Sequence, residues 1–239
     1  MLLAVDIGNT NVNVGLINGK GVLRRLRLSE LRERKTGEID EIIIVSVVPD
    51  VLRRIRHDLR TKFKTAKISV VGRDIRVPLK CLYDKRQIGQ DRLITAFAAS
   101  SLYGLPVLVI DFGTAVTFDA VSHELAYLGG LILPGVKMSL ESLSERTAML
   151  PSIHLKKVRS FIGRDTASSI RSGMIHGYGV LCEGLIKLFR KELGKNIKIV
   201  ATGGDAPLLT RHAPSVKNID PDLSLKGLFL LSKKNQKNT

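Results

Sequence analysis

Two short stretches of the chain place an acid, a glycine and small polar residues at the same spacing: Asp6-Ile7-Gly8-Asn9-Thr10 and Asp111-Phe112-Gly113-Thr114. Each follows an apolar run and precedes a second strand-like run, Val12, Val14 and Leu16 in the first case and Ala115 to Phe118 in the second. A phosphate held at a strand-turn-strand needs backbone N–H groups it can approach, so a side chain at the closest point is an obstacle. Gly8 and Gly113 remove that obstacle, and Asn9, Thr10 and Thr114 add neutral donors. Asp6 and Asp111 could hold a cation that accompanies a polyphosphate. One such tetrad is an ordinary turn, because Asp, Gly and Asn are the common turn formers. Two tetrads, each opening a similar unit, point to phosphate. No G-x-x-x-x-G-K-[ST] occurs, which excludes a P-loop as the cradle. Gly203-Gly204-Asp205 is either a third backbone approach, suited to an adenine or ribose, or a plain strand-to-helix turn.

A different chemistry is offered by Gly89-Gln90-Asp91-Arg92, at the start of a helix expected over 91–103. A carboxylate in the first turn is kept ionised by the helix dipole and could accept a hydroxyl proton, while Arg92 could pair with a carboxylate ligand. The plainer alternatives are a first-turn acid that stabilises its helix and a surface cation.

These groups need a scaffold, and the pattern supplies one twice. Strands are expected at 2–6, 12–17 and 21–28, with Asn18-Gly19 and Gly21 making a tight turn. A basic helix follows at 29–35, then a doubly buried strand from Ile42 to Val48, an amphipathic helix from Pro49-Asp50, a strand at 67–71 and irregular chain over 72–89. After Gly104 the order restarts: strand, acid, glycine, hydroxyl and strand over 106–118, a third strand at 126–133, and later a strand at 198–202 leading into a helix. Two correspondences in the same order imply an internal duplication, with halves 1–104 and 105–239. The helix expected over 165–192 carries Ile170, Met174, Tyr178, Leu181, Leu185 and Leu188 at helical spacing, together with Gly173, Gly177, Gly179 and Gly184. Each interior glycine lowers helicity by about 1 kcal/mol relative to Ala. Close packing against another element or another subunit would account for them, as would a break at Gly177 to Gly179.

The composition narrows the class. A chain of 239 residues, 44% hydrophobic and 25% charged, has material for a large core, and the expected class is α/β. No apolar run approaches the roughly 20 residues of a membrane span, Asp6 comes too early for a secretory leader, and the expected location is the cytoplasm. Cys81 and Cys182 lack metal or disulfide spacing. The net charge of +16 suits either nucleic acid or anionic small molecules. Arg53, Arg54, Arg56 and Arg60 alternate with Val51, Leu52, Ile55 and Leu59 as the solvated face of a helix, and the tail from Lys233 to Thr239 reads as polar and frayed. With four Tyr, seven Phe and no Trp there is little to stack bases, which argues against a nucleic-acid partner.

Taken together, the paired D-x-G-[NT] hairpins and the later Gly-Gly resemble the acetate and sugar kinase, Hsp70 and actin superfamily. Within it, nearly the whole chain resembles the type III pantothenate kinases. The motifs are Asp6-Ile-Gly-Asn-Thr10, Gly89-Gln-Asp91-Arg92, Asp111-Phe-Gly-Thr114, Gly129-Gly-Leu-Ile-Leu-Pro-Gly135, Glu145-Arg-Thr-Ala-Met-Leu-Pro151 and Gly163-Arg-Asp-Thr166. The resemblance implies two duplicated ribonuclease H-like (actin-like ATPase) domains with mixed sheets flanked by helices, and nucleotide in the cleft between them. It implies ATP-dependent phosphorylation of pantothenate to 4'-phosphopantothenate, the first step of coenzyme A synthesis, with Mg2+ accompanying the nucleotide. By the same resemblance Asp6, Ile7, Gly8, Asn9, Thr10, Asn11, Val12, Asn13 and Thr114 bind ATP, and Asp91 is the base. Tyr83, Gly89, Gln90, Asp91, Arg92 and Thr166 bind pantothenate, Asp111 holds K+ or NH4+, and the enzyme is a homodimer with its substrate pocket at the subunit interface. The segment after Tyr83 lacks the family's Asn-Pro. The alternatives are a noncatalytic transcription accessory factor of the same family, or another small-molecule kinase of the superfamily.

Overall fold

The computed structural model describes residues 1–236 except Val22, residues 34–37, Lys85, Lys157 and Arg159, and gives Arg32 by its backbone alone. It divides into two compact units, Met1–Leu102 with Asp222–Thr239, and Tyr103–Pro221.

In the first unit, β1 (Leu2–Ile7), β2 (Val12–Ile17), β3 (Leu23–Leu26), β4 (Glu41–Ser46) and β5 (Lys67–Val70) form a mixed sheet in the order β3-β2-β1-β4-β5. The β1–β2 and β2–β3 pairs are antiparallel, and β1–β4 and β4–β5 are parallel. Successive side chains of a strand point to opposite faces, so β1 serves two cores. Leu3, Val5 and Ile7 pack with Ile55, Leu59 and Phe63 around α1 (Pro49–Lys62). Leu2 and Ala4 pack on the other face with Ile94 and Phe97 of α2 (Gln90–Tyr103). Leu225, Leu228 and Leu231 of the C-terminal helix complete that second core.

The second unit repeats the plan. Its strands β7 (Val107–Phe112), β8 (Ala115–Val121), β9 (Ala126–Pro134), β10 (Lys198–Thr202) and β11 (Asn218–Ile219) follow the short β6 (Lys80–Cys81) in sequence and run β11-β10-β7-β8-β9. The antiparallel pairs are β7–β8 and β8–β9, and the parallel ones are β7–β10 and β10–β11. Replacing β1 to β5 by β7 to β11 reproduces the order of the first sheet, so the duplication inferred from two motifs extends to five strands in each unit, with β6 having no counterpart. Leu108, Ile110 and Phe112 pack with Val136 and Leu140 of α3 (Val136–Glu145) and with Cys182 and Ile186 of α4 (Thr166–Leu193). Ala206 and Leu209 of the short α5 (Ala206–Leu209) close that core.

Several expectations shift. The strand 21–28 is ordered over Leu23–Leu26, and the helix at 29–35 is a 3-10 helix over Leu28–Glu33, with 34 and 35 outside the described residues. The helix over 165–192 runs unbroken through Gly177 and Gly179. Residues 233–236 belong to α6 (Leu223–Gln236), while 237–239 lie outside the described residues. The largest difference concerns α6 as a whole. A boundary at 104/105 leaves it in the second half, yet its buried leucines pack into the first unit with Leu2, Ala4 and Ile94.

Candidate active site

The first turn is a tight hairpin closed by Gly8 N–H to Asn11 O at 3.0 Å, with Asp6 registered against Asn13 of β2 and Val45 of β4. The second is tighter: Gly113 N–H donates to Ala115 O at 3.2 Å, and Asp111 is registered against Thr117 and Thr202. Asn9, Thr10, Asn11, Asn13 and Thr114 are exposed, whereas Ile7 is buried in the core and Val12 half-buried.

The two turn glycines differ from the other close-packed glycines. A Cβ on Gly8 would meet nothing nearer than Asn11 O at 3.4 Å, and one on Gly113 nothing nearer than Asp111 Oδ1 at 3.4 Å; both are ordinary contacts. Neither glycine has a positive φ. The fold alone therefore does not demand glycine at these positions, and the space a Cβ would take remains for something outside the chain. Gly203 is the opposite case. Its φ is +90° and its Cβ would lie 2.5 Å from Asp111 Oδ1 and Phe112 O, so this glycine is explained by the chain's own packing beside Asp111.

Asp6 has the same strand parity as Leu2 and Ala4, which places it on the face covered by α2 and α6. Burial pushes its carboxyl above the usual carboxylate range, and the negative charge of Asp91 adds to the rise. Hydrogen bonds from Ser224 and Asn13 pull the other way. Asp91 itself sits in the first turn of α2, where Arg92 N–H donates to Asp91 Oδ1 at 2.8 Å. A Cβ at Gly89 would collide with that oxygen, so glycine there lets the carboxylate fold back over the helix start. Gln90 packs on Gly72, and the Arg92 guanidinium lies 6.0 Å from the centre of the Tyr83 ring. The first unit thus gathers Asp6, Gly8, Tyr83, Gly89, Asp91 and Arg92 from separate segments.

In the second unit Thr114 O accepts from Gly135 N–H at 3.1 Å, which joins the turn to the start of α3. Asp205 N–H donates to Phe112 O at 3.2 Å, and burial raises the Asp205 carboxyl above its usual range. Thr166 opens α4, and Asp165 caps the helix by accepting from Ser168 N–H at 2.8 Å. Beside it lies a cavity of about 510 Å3 lined by Ile162, Gly163, Arg164, Ser168 and Arg171 among others. Sequence reasoning missed Ser224 and the half-buried carboxyl of Asp205. Asp205 was visible only as part of a turn, and no local signal marks Ser224.

Among the described residues no cluster of three or more His, Cys, Asp or Glu could hold a metal. One or two carboxylates suffice for Mg2+, which keeps several waters and shares its coordination with substrate phosphates. A half-buried carboxylate close to a second negative charge is chemistry that such a cation relieves.

Two mixed sheets of one strand order, each with an acid at the carboxyl end of its first strand and a glycine-bearing turn beside it, define an actin-like ATPase fold of the kind used by small-molecule kinases. Solved structures agree. The chain is similar to a putative Baf family transcriptional activator from Campylobacter jejuni, with a TM-score of 0.59 at 23% identity over 98% of this chain and 99% of that one. It is also similar to a putative 2-dehydro-3-deoxygalactonokinase from Sinorhizobium meliloti, with a TM-score of 0.56 at 12% identity over 98% and 99% of the two chains. The sequence profile described as "Type III pantothenate kinase" matches residues 2–188. Proteins named type III pantothenate kinase from Listeria welshimeri and Rhodospirillum rubrum are 36% and 37% identical, covering 100% and 99% of this chain and 99% of each relative. The chain belongs to the type III pantothenate kinase family.

Proposed function

We propose that this protein transfers the γ-phosphoryl group of ATP to pantothenate, giving 4'-phosphopantothenate and ADP, the entry step of coenzyme A synthesis. The observation that carries the reading is the meeting of Asp6 and Asp91 in one unit, on a chain of this family. Phosphoryl transfer is mostly positioning and charge neutralisation. The backbone of Gly8 to Thr10 and the Thr114 turn take the phosphates. Asp91 accepts the proton as the pantothenate hydroxyl oxygen bonds to phosphorus and the bond to ADP breaks. Arg92, held over Tyr83, faces the substrate carboxylate together with Gly89, Gln90 and Thr166. A divalent cation, when bound, supplies positive charge to the phosphates; Asp6 would hold it, and Asp111 would hold K+ or NH4+.

The partner is a second copy of the chain. Gly173, Gly177, Val180, Gly184 and Leu188 fall at three- and four-residue spacing on one exposed stripe of α4. A Cβ on any of those three glycines would meet no atom of another element within 4 Å among the described residues, so packing within the described protomer does not call for them. Phe161 and Ile162, 71% and 72% exposed, extend the apolar surface in the same unit. A partner helix packed close against the stripe accounts for glycines that otherwise only weaken α4. No described helix is long and apolar enough to cross a membrane, in keeping with an enzyme of the cytoplasm.

The test is ADP release on adding pantothenate, in potassium or ammonium against sodium. Stimulation by pantothenate, larger with the first two ions, is expected. Turnover indifferent to pantothenate would sink the reading, and release driven by a sugar would move it to another kinase of the superfamily.

A further inference from the structure

The C-terminal helix contributes a polar side chain to the phosphate end of the first unit, and no hairpin motif includes it. The geometry points to Ser224 as a positioning residue that fixes the Asp6 carboxylate for the cation of the nucleotide. This rests on the assignment of Asp6 above.

Three observations converge on it. First, strand parity sends Asp6 to the face covered by α2 and α6, and both helices start there: Asp91 lies in the first turn of α2 and Ser224 in the first turn of α6. Second, the Ser224 side chain reaches the Asp6 carboxylate and favours its charged form, as Asn13 from β2 also does. Third, the start of α6 is fixed on both sides of Ser224. Asp222 accepts from Arg25 Nε at 2.5 Å, and Leu223 and Leu225 are 0% and 1% exposed. Further along, a Cβ on Gly227 would lie 2.7 Å from Ile94 O, so α6 presses directly on the backbone of α2. A serine held between such anchors has little freedom to move, and its hydroxyl constrains one carboxylate oxygen. Ser224 itself is only half-buried, and the leucines on either side supply the core packing.

A carboxylate with two fixed donors presents its remaining lone pairs in a defined direction, and pre-orientation of a ligand by such outer partners is commonly worth tenfold or more in cation affinity. Ser224→Ala and Ser224→Thr should be compared with Asp6→Asn by calorimetry of MgATP binding, by KM for MgATP and for pantothenate, and by melting temperature. The expected result is MgATP binding about tenfold weaker in Ser224→Ala. Ser224→Thr, which keeps the hydroxyl, should bind within about twofold of the parent, and the pantothenate KM and melting temperature should hold in both. Parent-like MgATP binding in Ser224→Ala, with binding lost in Asp6→Asn, overturns the role of Ser224 and leaves that of Asp6 intact. Parent-like binding in Asp6→Asn overturns both. A lower melting temperature with equal losses for both substrates makes Ser224 a packing residue and overturns the proposal as well.

Discussion

Asp91 bears directly on Asp6: its negative charge, added to the effect of burial, raises the proton affinity of a carboxylate that stands at the end of the first strand. Two acids brought together in this way oppose folding of the empty protein and favour whatever cation relieves them. Asp6→Asn should therefore raise the melting temperature of the ligand-free protein while abolishing its stabilisation by MgATP. Thermal shift with and without the nucleotide reads both effects, and a variant less stable than the parent in both states would contradict this account.

Asp91→Asn should lower kcat by about a hundredfold or more, the scale of a lost general base. The backbone bond from Arg92 N–H to Oδ1 can be kept by the amide oxygen, so the helix start survives and MgATP binding should change little. Steady-state kinetics paired with calorimetry separate the two, and full turnover in the variant would remove Asp91 from the reaction.

Gly8 and Gly203 should respond oppositely to a side chain. At Gly8 the chain has room, so Gly8→Val should weaken ATP binding by tenfold or more with a small shift in melting temperature. At Gly203 the positive φ and the 2.5 Å approach to Asp111 Oδ1 and Phe112 O make Gly203→Ala a folding defect of about 1–3 kcal/mol or more. Urea melts of the two proteins decide it.

Tyr103 gives a stability signature at high pH. Its hydroxyl donates to Asp220 Oδ2 at 3.0 Å, and burial, with that hydrogen bond and the charge of Asp220, pushes its pKa up to about 12 from 10.0. The folded state then holds the proton more tightly than the unfolded one. The contribution is fully present below pH 10 and is lost as pH rises toward 12. Tyr103→Phe should flatten that part of the alkaline limb in a plot of melting temperature against pH, and an unchanged limb would refute the linkage.

What the sequence disclosed follows the range of the interactions involved. The hairpin turns were legible because Asp6, Gly8 and Asn11 act within a few residues, and repetition at Asp111 and Gly113 separated them from ordinary turns. The parallel strand β4 was legible as an unbroken apolar run. By contrast, α6 has no local mark of the unit it joins. Its leucines fit any core, and only packing against Ala4 and Ile94 selects one, so Ser224 beside Asp6 was out of reach. The continuity of α4 was ambiguous for a related reason. Gly179 is needed because a Cβ there would strike His212, a contact set by a distant segment, while Gly177 meets nothing in its own protomer.

That last contrast yields a test of the subunit interface. If the stripe Gly173, Gly177, Val180, Gly184 and Leu188 packs on a second copy, then Gly177→Arg places a long cation where a helix backbone must approach. The same substitution is tolerated by an isolated protomer, because the position is exposed and arginine is a better helix former than glycine by roughly 0.5–1 kcal/mol. Sedimentation should show the parent as a dimer and Gly177→Arg as a monomer with unchanged secondary structure. If the substrate pocket also lies at that interface, pantothenate turnover should fall together with dimer content while MgATP still binds. A Gly177→Arg protein that remains dimeric and fully active would place the interface on another surface and leave the glycines of α4 without a partner.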